Sequence, residues 1–138
     1  MTNQPNVLFI ITDQQRAADV GFMGNRVVRT PHLDALAARG MVFDNAWGAN
    51  PMCMPNRSTI MTGRMPSAHG VIFNDRSLEL GAGTHVRQFR EAGYRTALFG
   101  KSHLQHGVSR NSVTEFELAA TVDHGYGLGW DELENYEL

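Results

Sequence analysis

The sequence predicts an α/β domain. Two apolar runs, residues 6–12 and 94–99, are each closed by polar residues, as is typical of buried parallel strands. Three segments with helical spacing of apolar residues lie between the two runs. Asp13 follows the first run, and Lys101 and His103 follow the second. Because ligand-binding groups gather at the carboxyl ends of parallel strands, we expect these three side chains at one edge of a sheet.

Capping residues mark the expected helix boundaries. Thr30 is expected to cap a helix that Pro31 opens and that ends at Gly40. A glycine after an apolar helical segment is a common C-terminal stop. The further expected elements are a short strand at residues 41–43, a helix over residues 58–61 stopped by Gly63, and a helix over residues 84–92 stopped by Gly93.

Composition limits the class of protein. A chain of 138 residues, 42% hydrophobic and 19% charged, has the size and balance of one globular domain with a core. The net charge of −2 gives no reason to expect a nucleic acid or an anionic membrane as partner. Residues 7–11, the longest apolar run, are too few to cross a bilayer. We expect a cytoplasmic location, or a periplasmic one if a leader has been removed.

The single cysteine, Cys53, lies two residues before Pro55 and four before Arg57. A lone cysteine closes no intrachain disulfide and cannot alone build a thiolate zinc site. One interpretation is a small buried hydrophobic residue. If Cys53 instead begins a helix, backbone N–H groups and the helix dipole favour an anion beside it, such as a sulfate or phosphate ester.

Four stretches of the chain resemble one family in the same order. Residues 53–57, CMPNR, continuing to Thr62 and Gly63, match the C-x-P-x-R-x-x-x-x-T-G signature of the formylglycine-dependent sulfatases. PNVLFIITDQQR, TPHLDALAARGMVFDNAW and AGYRTALFGKSHL resemble further landmarks of that family. The resemblance covers residues 5–105 and implies an alkaline phosphatase-like fold, a mixed and mostly parallel sheet flanked by helices.

The resemblance also implies the extent of the domain. Residues 1–138 would be the amino-terminal part of a sulfatase catalytic domain, with residues 106–138 poorly defined and without a clear strand. The remaining half of the catalytic domain is expected as a partner or as further chain. We therefore expect the 138 residues alone to be an incomplete hydrolase.

The implied reaction is hydrolysis of a small-molecule sulfate ester. In the family, a maturation enzyme that reads Pro55 and Arg57 would oxidise Cys53 to formylglycine, whose hydrate attacks sulfur. Arg57 would hold the attacking group. Lys101 and His103 would bind the sulfate oxygens and assist the leaving group. Asn74 would also contact the anion.

A divalent metal is implied as cofactor, with Ca²⁺ expected and Mg²⁺ or Mn²⁺ as alternatives. Asp13 resembles the first metal-ligating aspartate, and residue 53 would contact the same ion. Many members have two adjacent aspartates at this point, whereas here Gln14 follows and could offer a carbonyl oxygen only. Asp123 and His124 imitate a later ligand pair, but no apolar strand precedes them, and we interpret them as not ligating.

Two other functions stay open. The Asp13-Gln14 pair brings the sequence nearer to the branch with choline sulfatases and phosphonate monoester hydrolases, so a phosphonate or phosphate mono- or diester could be the substrate. A non-catalytic anion-binding fragment is the other alternative. The remaining histidines are expected to be structural or exposed: His69 in a structural hydrogen bond, His32 at a helix start, and His85 and His106 at the surface.

Overall fold

The computed structural model describes residues 4–105 and the backbone of residues 132–134. The chain divides into two units, Met1–Ala46 and Trp47–Leu138. Each unit has its own helices. In the described residues, no helix is long and apolar enough to cross a membrane.

The first unit contains two short 3₁₀ turns, Ala17–Asp19 and Gly21–Met23, followed by helix α1, Pro31–Ala37. The predicted start of α1 at Pro31 is confirmed, although the helix ends at Ala37, before Gly40. Thr30 does not cap α1 with its side chain. Its hydroxyl instead accepts the Gly21 N–H at 2.8 Å and donates to Asp34 at 2.9 Å, so it ties the preceding loop to the helix.

The two strands predicted in the first unit are wrong. Residues 4–12 and 41–43 carry no strand, and Leu8 and Ile10 are 84% and 71% exposed. A helix makes its hydrogen bonds within its own segment, whereas a strand depends on a neighbouring strand and on layers that cover its faces. An apolar pattern indicates that a segment is suited to burial, but it does not supply the covering layers.

The described part of the second unit contains three helices and a two-stranded sheet. The helices are α2, Cys53–Thr62; α3, Pro66–His69; and α4, His85–Glu91. Strand β1, Ala97–Phe99, pairs in parallel with β2, Glu132–Glu134, and Leu98 lies opposite Leu133. Strand β1 is shorter than predicted, and β2 corrects the expectation that residues 106–138 contain no strand, since its apolar signal is a single leucine between glutamates.

The predicted stop of α2 at Gly63 is confirmed, whereas α4 runs from His85 to Glu91, one residue shorter at each end than predicted. Gly63 has φ 66° and its N–H bonds to the Thr59 carbonyl, the left-handed stop that glycine allows. Thr84 caps α4 by accepting the Arg87 N–H at 3.2 Å. Helix α2 begins five residues earlier than predicted, at Cys53.

One apolar core lies in the second unit. Met54 and Met61 of α2 are seven residues apart, so they share a face two turns long. Other buried apolar side chains complete this core: Val71, Leu78, Val86 and Leu104. The core therefore fixes α2 against α4 and against the segment that follows β1.

Candidate active site

Cys53 is the first residue of α2 and is half-buried. Met52 stands at the cap position and provides no side-chain hydrogen bond. The cap comes from Asn74, whose Oδ1 accepts the Met54 N–H at 2.9 Å. An amide 20 residues downstream thus fills the place that serine or aspartate usually takes beside a helix start. No local sequence signal could have indicated this cap.

This cap reduces the number of backbone N–H groups with which the start of α2 could bind an anion. The Met54 N–H is already bonded to Asn74, and Pro55 has no N–H. Among the first three residues of α2, all in the described part of the chain, only Cys53 keeps an N–H that such a ligand could use. The helix dipole remains, but side chains must provide most of the charge for an anion beside Cys53.

Those charges come from Lys101 and Arg57. The Lys101 ammonium nitrogen lies 4.0 Å from the Cys53 sulfur. Arg57 lies one helical turn after Cys53 and donates from Nη1 to the Lys101 carbonyl at 2.8 Å. The contact of Arg57 holds the segment after β1 against α2, and the Lys101 ammonium lies beside the thiol. Lys101 is also the only lysine of the chain, a signal that sequence reading could have used.

His103 lies in the same segment and is 7% exposed. Its backbone has φ 49°, and among the described residues the only other non-glycine at positive φ is Gln14, at 53°. Left-handed backbone at such residues costs energy and is concentrated at functional sites. The fold secures His103 through its neighbours: the Leu104 carbonyl accepts the Leu78 N–H at 2.8 Å, and Gln105 donates to the Leu78 carbonyl at 3.0 Å.

The expectation of a structural role for His69 is confirmed. Its Nδ1 accepts the Val71 N–H at 3.1 Å, so Nε2 carries the proton and donates to the Thr59 hydroxyl at 3.0 Å. Burial lowers the pKa of this imidazole, because the interior disfavours its charged form. His69 therefore joins α3 to the middle of α2 as a neutral ring.

The remaining histidines differ in outcome. His32 is exposed in the first turn of α1, as predicted. The surface role predicted for His85 is wrong: it is half-buried, and its Nδ1 lies 3.2 Å from the carbonyls of both Ile60 and Met61, at the end of α2. His106, Asp123 and His124 lie outside the described residues.

The predicted metal ligands Asp13 and Gln14 belong to the first unit and are exposed. Carboxylate and amide oxygens fit a hard divalent cation in kind. They are too few, since calcium takes about six to eight oxygens. Within residues 4–105, no group of three or more histidine, cysteine, aspartate or glutamate side chains could hold a metal ion. The described residues alone could therefore offer at most part of an oxygen shell.

Comparison with known proteins adds an independent observation. A family model described as sulfatase matches residues 5–135. The protein described as "Ulvan-active sulfatase" from Formosa agariphila is 38% identical over 131 residues, which cover 95% of this chain and 24% of that relative. The match therefore extends over nearly all of this sequence.

Solved structures match as well. The phosphonate monoester hydrolase of Agrobacterium radiobacter superposes with a TM-score of 0.75 at 29% identity, over 94% of this chain and 26% of its own. A second solved structure, of a protein in complex with its substrate D-glucosamine-2-N,6-O-disulfate, superposes with a TM-score of 0.72 at 31% identity. This match covers 74% of this chain and 21% of that chain. These neighbours confirm the predicted alkaline phosphatase-like α/β fold. The chain spans about a quarter of the length of these relatives.

Proposed function

Because the chain belongs to the sulfatase family, we propose that it carries the nucleophile side of a sulfuric ester hydrolase, with residue 53 acting after its oxidation to formylglycine. The observation that carries the proposal is the contact of the only lysine with the only cysteine, 4.0 Å apart, at the start of a ten-residue helix. A buried structural cysteine needs no such cation beside it. A small-molecule sulfate ester, with its dispersed negative charge, fits this charged and half-open position.

Each residue near Cys53 has a distinct task in the proposal. Lys101 binds the sulfate oxygens and offsets the charge that builds up as the ester bond breaks. Arg57 holds the attacking group of residue 53 and, through the Lys101 carbonyl, keeps the lysine in place. His103, on its strained backbone, assists the leaving group. Asn74 contacts the anion in addition to capping α2.

Two groups would be added to these side chains. Formylglycine supplies an oxygen nucleophile at position 53 that a thiol does not provide. A divalent cation, with Ca²⁺ proposed ahead of Mg²⁺ and Mn²⁺, supplies Lewis-acid polarisation of ester oxygens. Asp13 and Gln14 would hold part of its oxygen shell, together with residue 53. The proposal also requires a maturation enzyme that recognises Pro55 and Arg57.

The experiment combines mass spectrometry with turnover of an aryl sulfate by the full-length protein. We expect the peptide with residue 53 to be about 18 Da lighter than the thiol form, as for conversion of a thiol carbon to an aldehyde. Cys53→Ala should abolish turnover, and Lys101→Ala should slow it by about 10² or more through loss of charge stabilisation. Arg39→Ala, at an exposed position in the first unit, is the control and should keep full activity. Active protein with only unmodified Cys53 would contradict the proposal.

A phosphonate or phosphate ester is the second candidate substrate. The observations that favour it are the phosphonate monoester hydrolase neighbour, which matches 94% of this chain, and the glutamine that follows Asp13. Phenyl sulfate and a phenyl alkylphosphonate would decide between the two, because both are phenyl esters with one negative charge that differ in the central atom and in the alkyl group that replaces one oxygen. A kcat/KM ratio above one for the sulfate supports the first candidate, and the reverse ratio supports the second.

A further inference from the structure

An open cavity of about 750 Å³ lies entirely within the first unit. The loop of residues 21–30 and the start of α1 line it, and Phe22, Arg26, Arg29 and Asp34 contribute side chains. None of the residues proposed above for ester hydrolysis lines this cavity. The role of its lining side chains is therefore not accounted for by ester hydrolysis.

The loop around the cavity is held by its own polar groups. Asp34 Oδ1 accepts the Phe22 N–H at 2.8 Å and the Thr30 hydroxyl at 2.9 Å. Asn25 Oδ1 accepts the N–H groups of Val27 and Val28 at 2.9 and 2.8 Å. These hydrogen bonds fix both ends of the segment that carries the two arginines. They do not involve the two arginine side chains, which therefore remain for an anionic ligand.

Arg26 and Arg29 are the side chains that remain. Both are exposed, and in the described part of the chain neither guanidinium makes a hydrogen bond or an ion pair. Two arginines against the single carboxylate of Asp34 leave the lining with a net charge of +1. A guanidinium presents paired N–H donors that match the oxygens of a sulfate or a carboxylate. The exposed ring of Phe22 adds an apolar surface to the same cavity.

We propose that this cavity binds the oxyanion group of an organic anion, with Arg26 and Arg29 on its oxygens and Phe22 against its apolar part. The oxyanion is a sulfate-type or carboxylate group, since both present the oxygen pairs that a guanidinium binds. The site requires neither formylglycine nor a metal, and its lining shares no residue with those proposed for ester hydrolysis. It gives the protein a second anion contact.

The test titrates full-length Cys53→Ala protein with benzenesulfonate, benzoate and neutral benzyl alcohol by calorimetry. The Cys53→Ala background removes turnover, so the outcome does not depend on the proposed reaction. We expect binding of at least one of the two anions and none of benzyl alcohol. The stronger of the two anions identifies the oxyanion class. Equal binding of benzyl alcohol, or binding of neither anion, would overturn the proposal.

Substitution locates the binding. The double variant Arg26→Gln and Arg29→Gln should weaken anion binding about tenfold or more, the cost of losing charged hydrogen bonds. Arg39→Gln is the matched control, because Arg39 is exposed in the same unit but donates to the Ala35 carbonyl and does not line the cavity. An anion affinity that is unchanged in the double variant, or that falls equally in Arg39→Gln, would assign the binding to another site and overturn the proposal.

Discussion

The two units differ in where their apolar side chains lie. In Trp47–Leu138, Met54 and Leu104 are almost completely buried, and they stand next to Cys53 and His103 in the sequence. In Met1–Ala46, the apolar run that leads to Asp13 is exposed. The residues around Cys53 are therefore positioned by a core within the described chain. The predicted metal ligands have no such support from the apolar run before them.

The largest expected difference in stability between the two units comes from removing one apolar side chain from each. Met54→Ala should lower the free energy of unfolding by about 2 to 5 kcal/mol, because it leaves a cavity in a packed core. Leu8→Ala should change it by about 0.5 kcal/mol or less, because the leucine is 84% exposed. Urea denaturation of the 138-residue chain measures both changes. A larger loss from Leu8→Ala would mean that the apolar run is packed in solution.

The same comparison explains which parts of the fold could be predicted from sequence. The helix end at Gly63 was predictable, because this kind of stop depends on a glycine within one turn of the end. The strand at residues 6–12 was predicted wrongly and Glu132–Glu134 was missed, because pairing depends on segments distant in sequence. The local sequence specifies where this helix ends, but it does not determine which segments pair as strands.

The second largest effect concerns the start of α2. Asn74→Ala removes the side chain that accepts the Met54 N–H and should destabilise the chain by about 0.5 to 2 kcal/mol, the usual cost of losing a helix cap. Asn74→Asp is the control, because it keeps an acceptor oxygen and adds a negative charge that the helix start favours. Thermal unfolding measures both variants. Equal losses in the two would show that the hydrogen bond to Met54 is not what stabilises α2.

The candidate site was only partly predictable. The spacing of Cys53 and Arg57 on one helix, and of Lys101 and His103 after a strand, follows from the sequence, and the structure brings Cys53, Arg57 and Lys101 together. The capping role of Asn74 could not be predicted, because this residue and the N–H that it caps are 20 positions apart and belong to different segments of the fold. Roles that depend on tertiary contacts cannot be predicted without the structure, even when the family motif is evident.

A smaller effect is expected from pH, through His69. Burial lowers its pKa below the ordinary value of 6.5, so the folded chain binds fewer protons than the unfolded chain just below that pH. The contribution of His69 to stability should be fully present above pH 6.5 and should be lost as the pH falls from there through the lowered pKa. Protonation of Nδ1 would also break its hydrogen bond with the Val71 N–H. Denaturant midpoints measured between pH 8 and pH 5 test this in the second unit.

The control for this pH effect is His69→Gln, which does not titrate. Its stability should depend less on pH than that of the parent chain over the same range. Equal pH dependence of the two chains would assign the loss to other groups and would separate His69 from the stability of α2.

The smallest expected effect tests how well the second unit is packed. Ser58 lies on α2 with no exposed surface, and its hydroxyl has no hydrogen-bond partner in the described chain. Ser58→Ala removes that buried polar group and replaces serine with a better helix former, so we expect a gain of about 0.5 to 1 kcal/mol. Ser67→Ala, at an exposed position of α3, is the control and should stay within about 0.5 kcal/mol of the parent. A loss of stability in Ser58→Ala would show that the hydroxyl makes a favourable contact. The polar groups buried in the second unit would then be better paired than the hydrogen bonds show. The difference in packing between the two units would be larger.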